Sequence, residues 1–324
     1  MRVRDISVVI CAYTEDRWDQ VRAAVESVRG QSLPSREIIV VVDHNPALYA
    51  RLSATLAGVA GVTVVENRNG KGLSGARNTG IAEAEGEIVA FLDDDATAHP
   101  DWLKFLSESY DDPAIMGVGG LTVPDWQTSR PAWLPEEFYW VVGSSYLGMP
   151  ESGTPVRNLL GANMSFRRAA FTLVSGFQSG IGRTSDKRPL GCEETEFCIR
   201  LAQCSPGALF VMENRALVSH FVPDSRCTFS YFLRRCHAEG ISKARVTALV
   251  GSDDGLSAER SYVTRTLPLG VLHGVADLLR GKPSGLGRAA AIVAGLAATA
   301  FGYGTAKLSV IRATPERSTV SGLA

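Results

Sequence analysis

The first 120 residues alternate short, near-continuous apolar runs with amphipathic stretches, and that alternation restricts the fold more than any other feature of the chain. "ISVVICAY", "REIIVVVD", "VTVVEN" and "EIVAFLDDD" are apolar runs rich in β-branched residues. Between them, "RWDQVRAAVESVRGQ", "PALYARLSATLAGVAG" and a glycine-rich segment read as helices. "PDWLKFLSESYDD" and "AIMGVGGLTV" add one more helix and one more strand. Strands without a polar face are buried on both sides, which predicts a parallel sheet covered by helices, an α/β architecture. Ligands of such sheets bind at the carboxyl ends of the strands. Asp43, the 67–77 loop and Asp93–Asp95 all fall at such ends, so a site is expected there.

The loop invites a particular reading. In "NGKGLSGARNTG", Gly70, Gly72 and Gly75 match G-x-G-x-x-G, the turn that cradles a dinucleotide's pyrophosphate. In dinucleotide-binding folds that turn follows the first strand, whereas here it follows the third. The loop also carries Lys71 and Arg77, and the acid downstream is a run of three, "FLDDDATAHPDWL". Adjacent carboxylates repel one another, and a cation relieves the repulsion. Oxygen ligands of this kind suit Mg²⁺ or Mn²⁺ beside a phosphate-bearing ligand. A solvated turn would tolerate three aspartates as well, but pyrophosphate plus metal accounts for loop and run together. An NAD-dependent oxidoreductase is left as the weaker rival.

Residues 124–157 interrupt the rhythm, with Pro124, Pro131, Pro135, Pro150 and Pro155 set among Trp126, Trp133, Phe138, Tyr139, Trp140 and Tyr146. Such a segment is either a loop covering substrate or a packed excursion. "NLLGANMSFRRAAF" then reads as strand and helix, "GCEETEFCIRLAQ" as a helix with an acidic first turn, and "ALFVMENRALVSHFV" as one or two strands. "TFSYFLRRCHAEGISKARVTALV" is a basic amphipathic helix. Residues Ala289–Ala306 carry no charge over 18 positions. Their apolarity comes mainly from Ala and Gly, which favours a packed or interfacial helix over a spanning one. A formal net charge of −1 sets up no field toward nucleic acid, and no nucleic-acid partner is expected. The six cysteines show no CxxC pair and read as free thiols of a reducing compartment. The opening residues lack a secretory pattern, so a cytoplasmic location is expected, at the inner face of the membrane if the C-terminal segment meets lipid.

Taken in order, these motifs resemble those of family 2 glycosyltransferases with the GT-A fold, over roughly residues 5–245. The resemblance implies a mostly parallel sheet flanked by helices, with a Rossmann-like nucleotide-binding half. It divides the chain into a transferase domain at 1–250 and a helical, membrane-associating extension at 251–324. Within the domain, 1–122 is the nucleotide-sugar half and 123–250 the acceptor half. Ala12, Tyr13, Thr14 and Glu15 would line the nucleobase and Asp43 would hold it; the family usually pairs two acids there, and Val42 stands in place of the first. Lys71 and Arg77 would lie beside the diphosphate. "FLDDD" resembles the metal-binding DxD motif, with Asp95 the direct ligand, Asp93 on metal or ribose, and Asp94 at the bound donor. Asn163, in "GANMSFRR", would stand beside donor sugar and acceptor, His220 would complete the metal shell, and Arg226 would close over the diphosphate.

"GCEETEFCIR" resembles the family's Glu-Asp motif, which makes Glu193 and Glu194 the catalytic pair and Glu194 the general base, one methylene longer than the usual Asp. The helix dipole at that position favours the ionised form. By itself an acidic first turn does no more than complement the dipole. The implied activity is inverting transfer of a sugar, with Mg²⁺ or Mn²⁺, from a nucleotide-diphosphate sugar to a hydroxyl acceptor. Uridine is the favoured base, and the acceptor is a saccharide, a lipid-linked sugar or a secondary metabolite. The departures at Val42 and Glu194 keep open a catalytically silent nucleotide- or glycan-binding protein on the same scaffold.

Overall fold

A computed structural model of the chain describes residues 5–179, 181, 190–251, 255 and 257–313. Four strands form the expected parallel set: β1 (Ile6–Ala12), β2 (Glu37–Val42), β3 (Val62–Glu66) and β4 (Ile88–Asp93), in the spatial order β3-β2-β1-β4. The sheet continues from β4 through β8 (Asn163–Arg167), β6 (Ile115–Trp126) and β9 (Leu209–Val222) to β5 (Ala96–Ala98), with the short β7 (Pro155–Val156) on β9. Here it becomes mixed: β6 and β9 run parallel, whereas β8 is antiparallel to both its neighbours. Apolar periodicity marks burial but carries no strand direction, so this reversal has no trace in the pattern.

Side chains alternate across β1, and each face has its own core. Ile6, Val8 and Ile10 pack under α1 (Trp18–Arg29), α2 (Pro46–Thr55) and α4 (Trp102–Glu108). Val9 and Val41 face α3 (Leu73–Glu83), α5 (Arg168–Val174) and α6 (Glu193–Cys204). The stripe Val21, Ala24, Val25 and Val28 shows why α1 docks where it does: three- and four-residue spacing puts all four on one buried face.

A third core joins the interrupting segment to the C-terminal helices. Leu134, Phe138 and Val142 pack with Phe232 and Cys236 of α7 (Phe229–Val250), and with Leu267, Ala291 and Ile292. The chain beyond α7 forms a short α8 (Ser257–Ser261), a π-helical turn at Tyr262–Thr266, then α9 (Leu267–Leu279) and α10 (Ser284–Ala313). Residues on both sides of position 250 thus share one apolar core.

The Ala- and Gly-rich composition of α10 has a packing reason. A Cβ at Gly240 of α7 would lie 2.0 Å from the Thr299 carbonyl oxygen, and one at Gly302 would lie 2.1 Å from that of His237. Two backbones this close leave room for nothing larger than glycine at the crossing. Ser284–Leu308 is long and apolar enough to cross a membrane by length and composition, with mean hydropathy 1.4. One face of the helix lies against the domain, and the other exposes Val293, Phe301 and Leu308.

Candidate active site

The carboxyl end of β4 delivers the aspartate run, and β5 turns back from it to pair with β9. In that register Ala96 lies opposite His220, which brings the imidazole to Asp95, Nε2 to Oδ1 at 3.2 Å. Gly143, at φ +87°, makes space for the ring: a Cβ there would meet His220 Cε1 at 2.8 Å. Asp93, Asp95 and His220 each offer one ligand atom, all within 4.8 Å of one another. Ligands of an octahedral ion at about 2.1 Å stand roughly 3 to 4.2 Å apart, so a contraction of well under 1 Å lets this oxygen- and nitrogen-donor set hold a divalent cation.

Two arginines already face the acids. Arg17 reaches Asp94 at 2.5 Å and Asp95 at 3.1 Å, and Arg226 reaches Asp95 at 3.2 Å. Burial opposes ionisation of Asp95, but His220, Arg17 and Arg226 outweigh it and hold the carboxyl well below the usual range. Asp94 goes the other way. Burial, with Asp95 and Asp93 alongside, pushes it up to about 7 against the pull of Arg17, and its Oδ2 is buried without a hydrogen-bond partner. Arg17 is the residue the sequence reading missed; its contact with Asp94 spans 77 positions.

The glycine loop is shaped by contacts within the chain. Asp43 Oδ1 accepts from Asn67 Nδ2 at 2.6 Å, and its Oδ2 accepts from the Gly72 N–H at 2.9 Å. Gly72 adopts φ +126° just before α3, and a Cβ on Gly75 would collide with the Gly70 carbonyl oxygen at 1.9 Å. Gly72 and Gly75 are required by turn geometry and close backbone approach, which accounts for two of the three glycines of the G-x-G-x-x-G pattern without a dinucleotide. Both oxygens of Asp43 are thus engaged in holding the loop. Lys71 is exposed on it. Of the opening segment, Ala12 is buried, Tyr13 is half exposed with the Arg17 guanidinium 5.2 Å from its ring, Thr14 caps the turn at Glu15–Arg17, and Glu15 is exposed.

Arg77 is no exposed phosphate clamp. It is 2% exposed, lies over the rings of Phe91 and Phe177, and donates to Glu193 Oε1 at 2.8 Å and to the Gly161 carbonyl at 2.9 Å. Asp93 lies 3.8 Å from its other arm. The guanidinium therefore ties α3 and the end of β4 to the start of α6. Asn163 is likewise engaged within the chain: it is fully buried, accepts from Trp102 Nε1 and donates to the carbonyls of Leu121 and Ala216. Its neighbours Leu160, Gly161 and Ala162 line the open space instead.

That space is a cavity of about 600 Å³ that runs from Asp93 and Arg77 past Glu193 and Glu194 to a wall formed by α7 and the C-terminal helices. Phe138, Trp140 and Tyr146 line it, so the aromatic segment both packs against the helices and covers the site. Glu193 is paired with Arg77, while Glu194 is pushed up to about 8, first by burial and then by the Glu193 charge. This reverses the expectation from the helix dipole: desolvation and a like charge at close range exceed its effect. On the far wall stand Arg235, Glu239 and Lys243 of α7 with Arg157 and Glu259. Their signal in the sequence was a charged stripe, four residues apart, beside the apolar stripe Phe232, Cys236 and Gly240.

Comparison with known proteins agrees with this geometry. The glycosyl transferase family 2 profile matches residues 7–173, just over half of the chain. A glucosyl-dolichyl phosphate glucuronosyltransferase of Haloferax volcanii is 35% identical over 252 residues, covering 77% of this chain and 80% of that protein. A pre-mycofactocin glycosyltransferase of Mycobacterium tuberculosis is 27% identical over 296 residues; the match covers 90% of this chain but 55% of that longer relative. Among solved structures, the mannosyltransferase PcManGT of Pyrobaculum calidifontis, in complex with GDP-Man and Mn²⁺, is similar in fold, with a TM-score of 0.56 at 16% identity over 92% of this chain and 88% of that one. The chain belongs to glycosyl transferase family 2 and is a glycosyltransferase with a GT-A-like fold.

Proposed function

We propose that the chain is an inverting, metal-dependent glycosyltransferase that moves a sugar from a nucleotide-diphosphate donor, a UDP-sugar, to a hydroxyl on a lipid-linked acceptor. One observation carries the proposal: a single cavity reaches the acid–histidine cluster through Asp93 at one end and has the Glu193–Glu194 pair in its wall. Asp93, Asp95 and His220 would hold Mg²⁺ or Mn²⁺, whose chemistry when bound is charge stabilisation of the leaving diphosphate. Arg17 and Arg226, already drawn to the aspartates, add positive charge beside the diphosphate, and Lys71 is exposed on the adjoining loop.

Glu194 takes the proton from the acceptor hydroxyl. A carboxyl pushed up to about 8 is a far stronger base than an ordinary one, and its pKa lies close to the operating pH, where general bases are most effective. The Arg77 ion pair fixes Glu193 and leaves Glu194 for the acceptor. The name of the Haloferax relative, which acts on a dolichyl-phosphate-linked sugar, supports a lipid-linked acceptor, as does the exposed apolar face of α10. A cytoplasmic enzyme at the membrane surface is the corresponding location. Single displacement inverts the anomeric centre, so proton NMR of the product from a UDP-α-sugar should show a β linkage. An α linkage would overturn the role assigned to Glu194.

A further inference from the structure

The far wall of the cavity is given no role in the donor binding and proton transfer proposed above, yet it holds a buried set of charges. Arg235 pairs with Glu239 at 2.9 Å, and Arg157 holds Glu259 with two bonds at 2.8 and 2.9 Å. Each carboxylate therefore has an arginine of its own. Lys243 comes in addition, 2.5 Å from Glu259 and 3.5 Å from Glu239. Burial works against its ammonium, but the carboxylates of Glu239 and Glu259 around it outweigh burial and keep it charged. Among the described residues of this wall, three cations face two carboxylates. A positive charge left over in a partly desolvated cavity is costly unless an anion joins it.

The cluster adjoins the start of α6. Cys192 Sγ lies 3.3 Å from Glu239 Oε1, and a Cβ on Gly191 would meet Arg235 Nη2 at 3.4 Å. Cys192 directly precedes the Glu193–Glu194 pair, so an acceptor presenting its hydroxyl to Glu194 has its next groups at Arg235 and Lys243. Beyond them the lining turns apolar, with Tyr262, Val263, Leu267 and Leu296. These residues belong to the π-helical turn, α9 and α10. On their outer surface the same elements expose Leu269, Leu272, Leu279 and Phe301.

We infer that Arg235 and Lys243 form an anion subsite for the phosphodiester of an amphiphilic acceptor, whose sugar hydroxyl reaches Glu194 and whose hydrocarbon leaves along the Val263–Leu267–Leu296 wall. A phosphodiester carries one negative charge, which matches the one cation in excess among the described residues of this wall. This inference rests on reading the cavity as the acceptor site.

The test is a tryptophan-fluorescence titration, for which Trp140 is well placed: its ring lies 5.6 Å from the Arg235 guanidinium. The probes are octyl glucosyl phosphodiester, octyl glucoside, which lacks only the phosphate, and inorganic phosphate. The phosphodiester should bind at least tenfold more tightly than the glucoside. Lys243→Met should remove most of that advantage without changing glucoside binding, and Lys243→Arg should restore it. Lys243→Met leaves each glutamate its arginine, and unchanged binding of UDP with Mn²⁺ to the variant shows that it is folded. Equal affinity for phosphodiester and glucoside, or a phosphodiester affinity unaffected by Lys243→Met, would overturn the subsite. Inorganic phosphate binding as tightly as the phosphodiester would assign the cations to free phosphate and overturn the lipid-linked ligand. Failure of UDP to bind the wild-type protein would count against the transferase mechanism, whatever the phosphodiester titration gives.

Discussion

Two pairs of adjacent carboxylates belong to the candidate site, Asp94–Asp95 beyond the end of β4 and Glu193–Glu194 at the start of α6, and their surroundings send them to opposite uses. Around the aspartates, contact with His220 and the charges of Arg17 and Arg226 keep Asp95 ionised in a buried position, and the proton is pushed onto Asp94. Among the described residues, the ion pair made to the glutamates comes from Arg77; it goes to Glu193, and Glu194 is pushed up to about 8. Two acids side by side therefore specify no chemistry. The number of buried cations around them decides whether the pair holds charge, as a metal site requires, or holds a proton that can be exchanged with a substrate.

The largest test of this difference is Glu194→Gln. Transfer should fall by roughly 10²- to 10⁴-fold, the usual worth of a general base, while nucleotide affinity stays unchanged. In the wild type, the base must be ionised, so kcat/KM should rise with pH through a midpoint near 8 and level off above it. A rate that is flat from pH 6 to 9, or that falls over this range, would contradict the assignment.

Next comes Arg77→Met, which disturbs both ends of the cavity. It leaves Glu193 buried without its partner and should cost about 3–5 kcal/mol of stability, read from denaturant unfolding. Arg77 also lowers the Glu194 pKa, so in whatever variant protein folds, the rising limb should move to higher pH. An unshifted limb would separate the two pairs electrostatically and weaken the comparison.

The third test is the pH dependence of stability. Glu194 ionises at 4.5 when unperturbed and near 8 in the folded chain. Below about pH 4.5 it is protonated in both states and has no influence. Between 4.5 and 8 the unfolded chain loses the proton and the folded one keeps it, so stability contributed by this group is lost as pH rises through the folded pKa. Glu194→Gln removes that loss, and its Tm advantage over the wild type should be larger at pH 8 than at pH 5. An advantage independent of pH would mean that Glu194 is not held protonated.

Much of this was written along the chain. The strand-and-helix order of the nucleotide half, the aspartate run and the acidic first turn of α6 are local patterns, and the fold brings Asp93 and that first turn onto one cavity, as the strand-end rule leads one to expect. What the chain hides is pairing across distance. Nothing near Arg17 announces Asp94, and nothing in "GANMSFRR" distinguishes an Asn facing a sugar from one fully spent on Trp102 and two carbonyls. The same limit applies to Arg77: a basic residue beside a glycine loop suggests phosphate, and only the fold reveals that Glu193, 116 positions away, has claimed it.

The most direct measurement is calorimetric titration of UDP, GDP and dTDP into the protein, with Mn²⁺ and with EDTA, repeated on Asp95→Ala. The account predicts binding of one nucleotide, UDP, in Mn²⁺, weakened at least tenfold by EDTA and by the substitution. Equal UDP binding with and without metal, or binding untouched by Asp95→Ala, would contradict a metal-dependent donor site at Asp93, Asp95 and His220.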